Sequence, residues 1–444
     1  MPRWVDAARE LVARIAGQQR QASPGPSGTA WDGLGAVLRT EQRLGAVVDD
    51  GAARAALAVA AGRALAGQRA TAWLDGPDLL AAHDRLSWCA GRCLPLVVHA
   101  TLGAADGHAG AAGTGHEAWH GISGTGCFQF LAIHVQDAVD LALVARIVAE
   151  QALATGVVAM DREQTAMALQ RVALPDRDRC RDLAGDPADI IPCPTDAQRA
   201  LFGPDRARLP AWFDLDRPVM LGGTQGPEAY GLGVAARRPY FTESLPGIIA
   251  EAMRRVSSAT GRPLSPLHQH RVDDASIVIV AQGSLVETAC ALADHLRSHR
   301  RQRVGVVGVR QLRPWPQDAL RAALSRAERV VVLERVDSPL AADAPLAAEL
   351  RPLLPGHARI HEVPCGLGGL PVRAADLALL LETLPHTDAD RIYLGLDFAP
   401  GTAEHPRRQA ALDALRRDRP DLVGRGLRAS SDRPLDLRPP HTTT

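Results

Sequence analysis

A chain of 444 residues is about two to three times the usual single-domain length, so two domains are expected, three at most. Its 50 basic and 50 acidic side chains cancel, which argues against nucleic-acid or membrane-surface binding, since either would show a basic excess. Hydrophobic residues make up 46% and aromatics only 4%, and the sequence contains no lysine at all. This chain alone therefore cannot build a Walker phosphate loop, a Schiff base, a pyridoxal attachment, a kinase ion pair or a Ser–Lys dyad.

In chain order, Val5 to Ala16 reads as a short helix and Gln18 to Gly28 as a linker rich in Gln, Ser, Pro and Gly. A small-residue helix is expected from Asp49 onward, its two leading acids suiting the positive end of the helix dipole. Ala70 to Leu74 is a short strand closed by an Asp75-Gly76-Pro77 turn. Leu94 to Ala100 is a continuous apolar strand buried on both faces. A Gly-rich loop spans Gly103 to Gly126, a helix Asp137 to Ala154, and an irregular strap Leu174 to Pro218. In the C-terminal half, strands at 276–283, 303–310, 329–334 and 358–363 alternate with helices at 285–299, 316–327 and 374–384. Val/Ile-rich strands between helices imply a parallel sheet covered on both faces. The end of the chain, beyond Gly426, reads as loose.

The seven cysteines (Cys89, Cys93, Cys127, Cys180, Cys193, Cys290 and Cys365) form neither an iron–sulfur run nor a zinc knuckle, and the Cys89-x3-Cys93 pair is expected to be buried free thiols. The N-terminal Met-Pro-Arg-Trp-Val-Asp lacks the apolar core of a signal peptide, and no stretch of about 18 apolar residues exists. A cytoplasmic location is the expectation. His116-Glu117-Ala118-Trp119-His120 matches the zinc-hydrolase pattern His-Glu-x-x-His. The glycines around it, each costing ~1 kcal/mol inside a helix, oppose the long helix that pattern needs. A polar loop near a site is preferred, with no metal ligands assigned.

Three stretches together resemble the pyruvate:ferredoxin (flavodoxin) oxidoreductase family of thiamine-diphosphate enzymes. The first is Asp216-Arg-Pro-Val-Met-Leu-Gly-Gly-Thr-Gln-Gly-Pro-Glu, continuing to Thr260-Gly-Arg-Pro. The second is Val304 to Trp315, with Arg310-x-x-Arg313-Pro, followed by Arg329 to Pro339. The third is Cys365-Gly-Leu-Gly-Gly. Val135-Gln-Asp-Ala-Val-Asp-Leu-Ala-Leu resembles the family helix downstream of the active-site loop, and Arg391-Ile-Tyr-Leu-Gly-Leu resembles the link into the family's next domain. The resemblance implies an α/β chain with a thiamine-diphosphate-type pyrimidine-binding domain at 29–262 and a transketolase-C-like parallel-sheet domain at 263–385. An N-terminal helix and linker (1–28) precede them and a tail (386–444) follows.

The chemistry implied is oxidative decarboxylation of a pyruvate-like 2-oxoacid, in which a carboxylate bonds the aminopyrimidine ring nitrogen and promotes loss of the cofactor's C2 proton. The family's Glu run is matched by Asp49-Asp50-Gly51-Ala52-Ala53, so Asp50 is the candidate catalytic and cofactor-binding residue. It is one methylene, about 1.5 Å, shorter than Glu. The plain alternative makes Asp49 and Asp50 helix N-terminal acids. The family's Thr-x-Ser-Gln-Gly loop becomes Ala72-Trp73-Leu74-Asp75-Gly76, which leaves Gly76 as the second cofactor-binding candidate. His99-Ala-Thr-Leu-Gly103 carries Gly where the family has a substrate-binding Arg, and the Thr segment upstream of the acid has no counterpart.

No Gly-Asp-Gly diphosphate motif and no iron–sulfur ligand set occurs in the sequence. The resemblance therefore implies a hetero-oligomer in which thiamine diphosphate and Mg are shared with a partner chain. Diphosphate-binding and iron–sulfur subunits carry the clusters, and ferredoxin or flavodoxin accepts the electrons. A catalytically degenerate scaffold or regulatory subunit of such a complex is the alternative. The C-terminal α/β domain is expected to be structural, although its Gly283-Ser284 turn opens a helix suited to an anion.

Overall fold

The computed structural model describes residues 29–49, 53–105, 113–212, 225–387, 389–398, 405–423 and 425–429. The first domain runs β1 (Thr29–Asp32), α1 (Gly33–Arg43), β2 (Val47–Asp49), α2 (Ala53–Leu65), β3 (Ala70–Asp75), α3 (Gly76–Ala81), α4 (His83–Gly91) and β4 (Val97–Leu102). It continues α5 (Glu117–Gly121), β5 (Phe128–Leu131), α6 (Val135–Ala152) and β6 (Gly156–Asp161). A π-helical turn, Arg162–Ala166, follows β6 and leads into β7 (Leu169–Val172), which pairs antiparallel with β1. The segment read as an irregular strap carries α7 (Arg177–Ala184), β8 (Ile190–Pro192), α8 (Asp196–Phe202) and β9 (Asp205–Ala207). It does lie over the first domain. Buried Arg206 and Gln198 bond the carbonyls of Glu150 and Gln151, and Trp212 packs into the core. Two more helices, α9 (Pro227–Arg237) and α10 (Leu245–Thr260), complete the domain.

The second domain contains β10 (Leu267–His270), β11 (Ile277–Ala281), α11 (Leu285–Arg300), β12 (Val304–Val309), β13 (Gln311–Arg313) and α12 (Gln317–Leu324). Then come β14 (Arg329–Glu334), α13 (Pro345–Leu350), β15 (Arg359–Pro364) and α14 (Ala374–Thr383). Beyond them lie β16 (Tyr393–Leu394), α15 (Pro406–Asp418), α16 (Pro420–Val423) and β17 (Gly426–Leu427), with β16 and β17 paired in parallel. Bridges Glu362–Arg391 and Cys365–Leu394 lay the 391–394 segment beside β15, so it belongs to the second domain's body.

The larger sheet has the order β13-β5-β6-β4-β3-β2, parallel except for β13. One face packs on α1, α6 and α10 and the other on α2 to α5. The second sheet, β10-β12-β11-β14-β15, is parallel except for the β10 edge; α11 and α14 cover one face, α12 and α13 the other. Val/Ile-rich strands buried on both faces are what a doubly covered parallel sheet requires. The helix expected from Asp49 is corrected: Val47-Val48-Asp49 is a strand, because β-branched residues favour the pleated surface, and the helix starts at Ala53.

β13 ties the two domains together. The Arg310-x-x-Arg313-Pro motif leaves the second sheet and becomes an antiparallel edge strand of the first. Arg310 Nε donates to Asp137 at 3.0 Å, with both groups buried, and the Arg310 carbonyl accepts from Leu131 N–H. A buried charge needs such pairing, so this motif fixes the docking of the domains.

A second ionic cluster lies between the sheet and the helices α1 and α6. Glu41 accepts from Arg146 at 2.6 Å and pairs with His99 Nε2 at 2.8 Å; Arg69 binds Glu150 through two nitrogens at 2.6 and 2.7 Å. Burial opposes the Glu41 charge, but Arg146 and His99 outweigh it and lower its pKa.

Candidate active edge of the first sheet

Parallel strands that point the same way bring their carboxyl ends to one edge, and open α/β sheets bind ligands there. In this chain β2, β3 and β6 all end on aspartate, at Asp49, Asp75 and Asp161, while β4 ends one residue before Gly103. The register brings the ends of β3, β4 and β6 level to within a residue, Asp75 opposite Thr101 and Leu102 opposite Asp161, while β2 stops three residues short, with Asp49 opposite Ala72.

The second domain covers the β6 end. Asp161, fully buried, accepts from His116 Nε2 at 2.8 Å, from Ser284 N–H at 2.9 Å and from Ser284 Oγ at 2.5 Å, with Arg335 Nε 3.6 Å away. Burial would raise its pKa, but His116, Arg335 and Ser284 prevail and hold it well below the ordinary carboxylate range. The expected anion at the Gly283-Ser284 helix opening is therefore the chain's own Asp161, seated at the positive end of α11. Nearby, Gly113 and Gly369 meet backbone to backbone. A Cβ on Gly113 would lie 2.2 Å from the Gly369 Cα, and Gly369 adopts φ +90°. The Cys365-Gly-Leu-Gly-Gly motif thus packs against the Gly-rich loop at Gly113.

The β3–β4 end is the less covered half. Asp75 caps α3 by accepting from Gly76 N–H at 2.6 Å. A Cβ on Gly76 would stand 2.2 Å from the Gly103 carbonyl oxygen, so two strand ends meet as bare backbone. Beside them Arg162, at the start of the π-helical turn, reaches back to Asp75, with Nη2 to Oδ2 at 3.5 Å. Both side chains keep some exposure, 16% and 24%. Thr114, bridged to Gly103, donates from its N–H to Glu163 Oε2 at 3.0 Å and closes the loop beneath.

Of the two site residues expected from sequence, Gly76 lies at this edge, at the first position of α3. Asp50 lies outside the described residues; the strand preceding it ends at Asp49, in register with Ala72 of β3. The zinc pattern is not assembled. Glu117 to Gly121 is a single short helix, His116 turns to Asp161 and His120 to Gln282 at 3.1 Å. Among the described residues no group of three His, Cys, Asp or Glu could hold a metal. All seven cysteines are free, six of them buried; desolvation pushes the Cys89 thiol up to about 12. No described helix is long and apolar enough to cross a membrane. Sequence reasoning missed Asp75, Asp161 and Arg162. An apolar run that stops on Asp, as in Ala-Trp-Leu-Asp75 and Val-Ala-Met-Asp161, was the available signal.

The fold is similar to that of a 2-oxoglutarate:ferredoxin oxidoreductase from Magnetococcus marinus. The two superpose with a TM-score of 0.58 at 15% identity, over 82% of this chain and 66% of that one. That likeness establishes the fold. The family model of pyruvate flavodoxin/ferredoxin oxidoreductase, thiamine diphosphate-binding, matches residues 46–230, and pyruvate:ferredoxin oxidoreductase core domain II matches residues 275–377. The pyruvate:ferredoxin oxidoreductase of Moorella thermoacetica is 28% identical over 315 residues, 70% of this chain and 25% of its own length. A probable pyruvate-flavodoxin oxidoreductase of Escherichia coli is 29% identical over 294 residues, 66% of this chain and 23% of that protein. The pyruvate synthase subunit PorA of Methanothermobacter thermautotrophicus is 27% identical over 184 residues, covering 41% and 47% of the two chains. The chain belongs to the pyruvate:ferredoxin oxidoreductase family, and it spans about a quarter of the length of the first two relatives.

Proposed function

We propose that the chain is the pyrimidine-side subunit of a thiamine-diphosphate-dependent 2-oxoacid oxidoreductase, whose diphosphate site and iron–sulfur clusters reside on partner chains. The observation that carries this reading is the half-covered edge of the first sheet, at the carboxyl ends of β2, β3 and β4, within the match to the thiamine diphosphate-binding model. The residues present suit one end of the cofactor. In sequence Asp50 follows β2 as the carboxylate that would meet the aminopyrimidine ring nitrogen, and Gly76 and Gly103 leave bare backbone at the ends of β3 and β4. For the diphosphate and its Mg, the described residues offer no ligand cluster. Bound thiamine diphosphate would supply the carbon nucleophile that attacks a 2-oxoacid. Asp50 would hold the aminopyrimidine in the tautomer that accepts the C2 proton, and the second domain would keep the edge rigid from behind.

Purification of the native complex through this chain, with mass spectrometry of proteins and small molecules, tests the reading. Thiamine diphosphate and an iron–sulfur partner should co-purify. A complex holding neither would overturn it. Such a complex holding clusters but no thiamine diphosphate would favour the scaffold reading, to which the shortened acid at Asp50 and the absent side chain at Gly103 lend some support.

A further inference from the structure

At the opposite edge of the first sheet, where β2 and β3 begin, a cavity of about 380 Å³ opens between the end of α1 and α7. That volume falls in the range of small-molecule sites, about 300–1,000 Å³. Its floor is Arg69, which is buried. The Arg69 guanidinium gives two nitrogens to Glu150 and also donates to the carbonyls of Leu44 and Gly185. Leu44 closes α1 and Gly185 closes α7, so one buried, charge-paired side chain fixes both walls. The walls carry charge that the chain leaves unmet. From α1, Arg43 donates through Nη1 to the Pro175 carbonyl at 2.7 Å, its one side-chain bond among the described residues. Burial and the like charges of Arg39 and Arg177 lower its pKa, as befits a guanidinium that forms no ion pair. From α7, Arg177 makes neither a side-chain hydrogen bond nor an ion pair among the described residues. Arg181 and Asp186 neutralise each other at 3.1 Å, which leaves Asp178 as the unmatched acid of the lining.

Arg43 and Arg177 come from different helices, so an oxyanion in the cavity receives donors from two directions. A flat carboxylate is served by one guanidinium fork, whereas a tetrahedral phosphate has oxygens for several donors at once. Asp178 adds an acceptor that a bare anion would not use but a hydroxyl group would. We propose that this cavity binds a small phosphate monoester, with Arg43 and Arg177 on the phosphate and Asp178 accepting from a hydroxyl of the organic part. The site is separate from the proposed catalytic edge. Leu44 and Arg69 precede β2 and β3, whereas Gly76 and Gly103 follow β3 and β4 at the other end of the strands. It therefore stands or falls independently of the 2-oxoacid reading.

The test is calorimetry on the full chain at low salt, with glycerol 3-phosphate, inorganic phosphate and acetate as probes. Glycerol 3-phosphate should bind at a single site, more tightly than inorganic phosphate, and acetate should not compete. Arg43→Gln and Arg177→Gln should each weaken its binding about tenfold, the loss expected for a hydrogen bond to a charged group. Arg177 and Asp178 are exposed, so their variants should keep the wild-type circular dichroism and thermal midpoint. Arg177→Glu, which reverses the charge, should abolish binding. Asp178→Ala should erase the advantage of the ester over inorganic phosphate. No saturable heat at millimolar glycerol 3-phosphate, or an affinity that Arg43→Gln and Arg177→Gln both leave unchanged, would overturn the site. Acetate binding as tightly as phosphate would overturn the assignment of a phosphate monoester.

Discussion

Asp50 is the residue on which the catalytic reading turns. Replacing it with Asn keeps the shape but removes the charge-assisted contact to the aminopyrimidine ring nitrogen. Exchange of the cofactor's C2 proton for deuterium, followed by NMR in the assembled complex, should slow by orders of magnitude. Asp50→Glu, which adds about 1.5 Å of reach, should hold or raise the exchange rate. Equal rates in all three proteins would remove Asp50 from the chemistry and favour the scaffold role. A different residue-scale expectation concerns stability alone. Glu41 is the acceptor shared by His99 and Arg146 at 0% exposure, and Glu41→Gln would take from the buried Arg146 guanidinium its hydrogen-bonded counter-charge, leaving only Glu150 at 4.0 Å. Unfolding by denaturant should show a loss of about 3–5 kcal/mol. Neither His99 nor Glu41 signals this partnership in sequence, because the two are brought together only by the packing of α1 against the sheet.

At the scale of elements, the junction between the domains is held by two groups, His120 and Asp161, that both lose their contribution as pH falls, over different ranges. Desolvation, with His116 alongside, depresses His120 to about 3, so its neutral ring bonds Gln282. An unfolded chain takes up that proton below about 6.5. Stability from His120 is therefore complete above that pH and is lost as pH falls toward the folded value. Asp161 has the lowered carboxylate pKa, and its contribution, present above about 3.9, disappears only in stronger acid. The thermal midpoint of the full chain should thus fall between about pH 6.5 and 4, and His120→Gln should flatten that fall; an identical slope in the variant would remove His120 from the junction. Gly369→Ala would press a methyl onto Gly113 at 2.6 Å in a backbone with φ +90°. A loss of about 1–3 kcal/mol, with easier proteolysis between the domains, is the expected outcome. These elements also mark how far sequence reading reached. The Val/Ile runs of the second sheet, the 135–152 helix and the glycine motif are legible because local pattern dictates them. The role of β13 was not, since three residues that cross to another sheet carry no periodicity of their own.

At the scale of the whole molecule, two doubly covered sheets are joined by β13, which follows β12 of the second sheet and pairs as an edge strand of the first, and the second domain covers one half of the first sheet's carboxyl edge while leaving the other half less covered. The fold class and the family were readable from ordered motifs; the site was readable only in part. Gly76 and Gly103 stand out in the sequence against a known pattern, whereas the arginine that fills the space of Gly103 comes from 59 positions later and needed coordinates. The pyrimidine-side reading makes the chain one half of a site whose other half lies elsewhere. Calorimetric titration of thiamine diphosphate with Mg, into the chain alone and into the native complex, tests that division most directly. Tight binding in the complex and none of comparable strength in the isolated chain is the expected result. Sub-micromolar affinity for the isolated chain, or no binding by the complex, would contradict it.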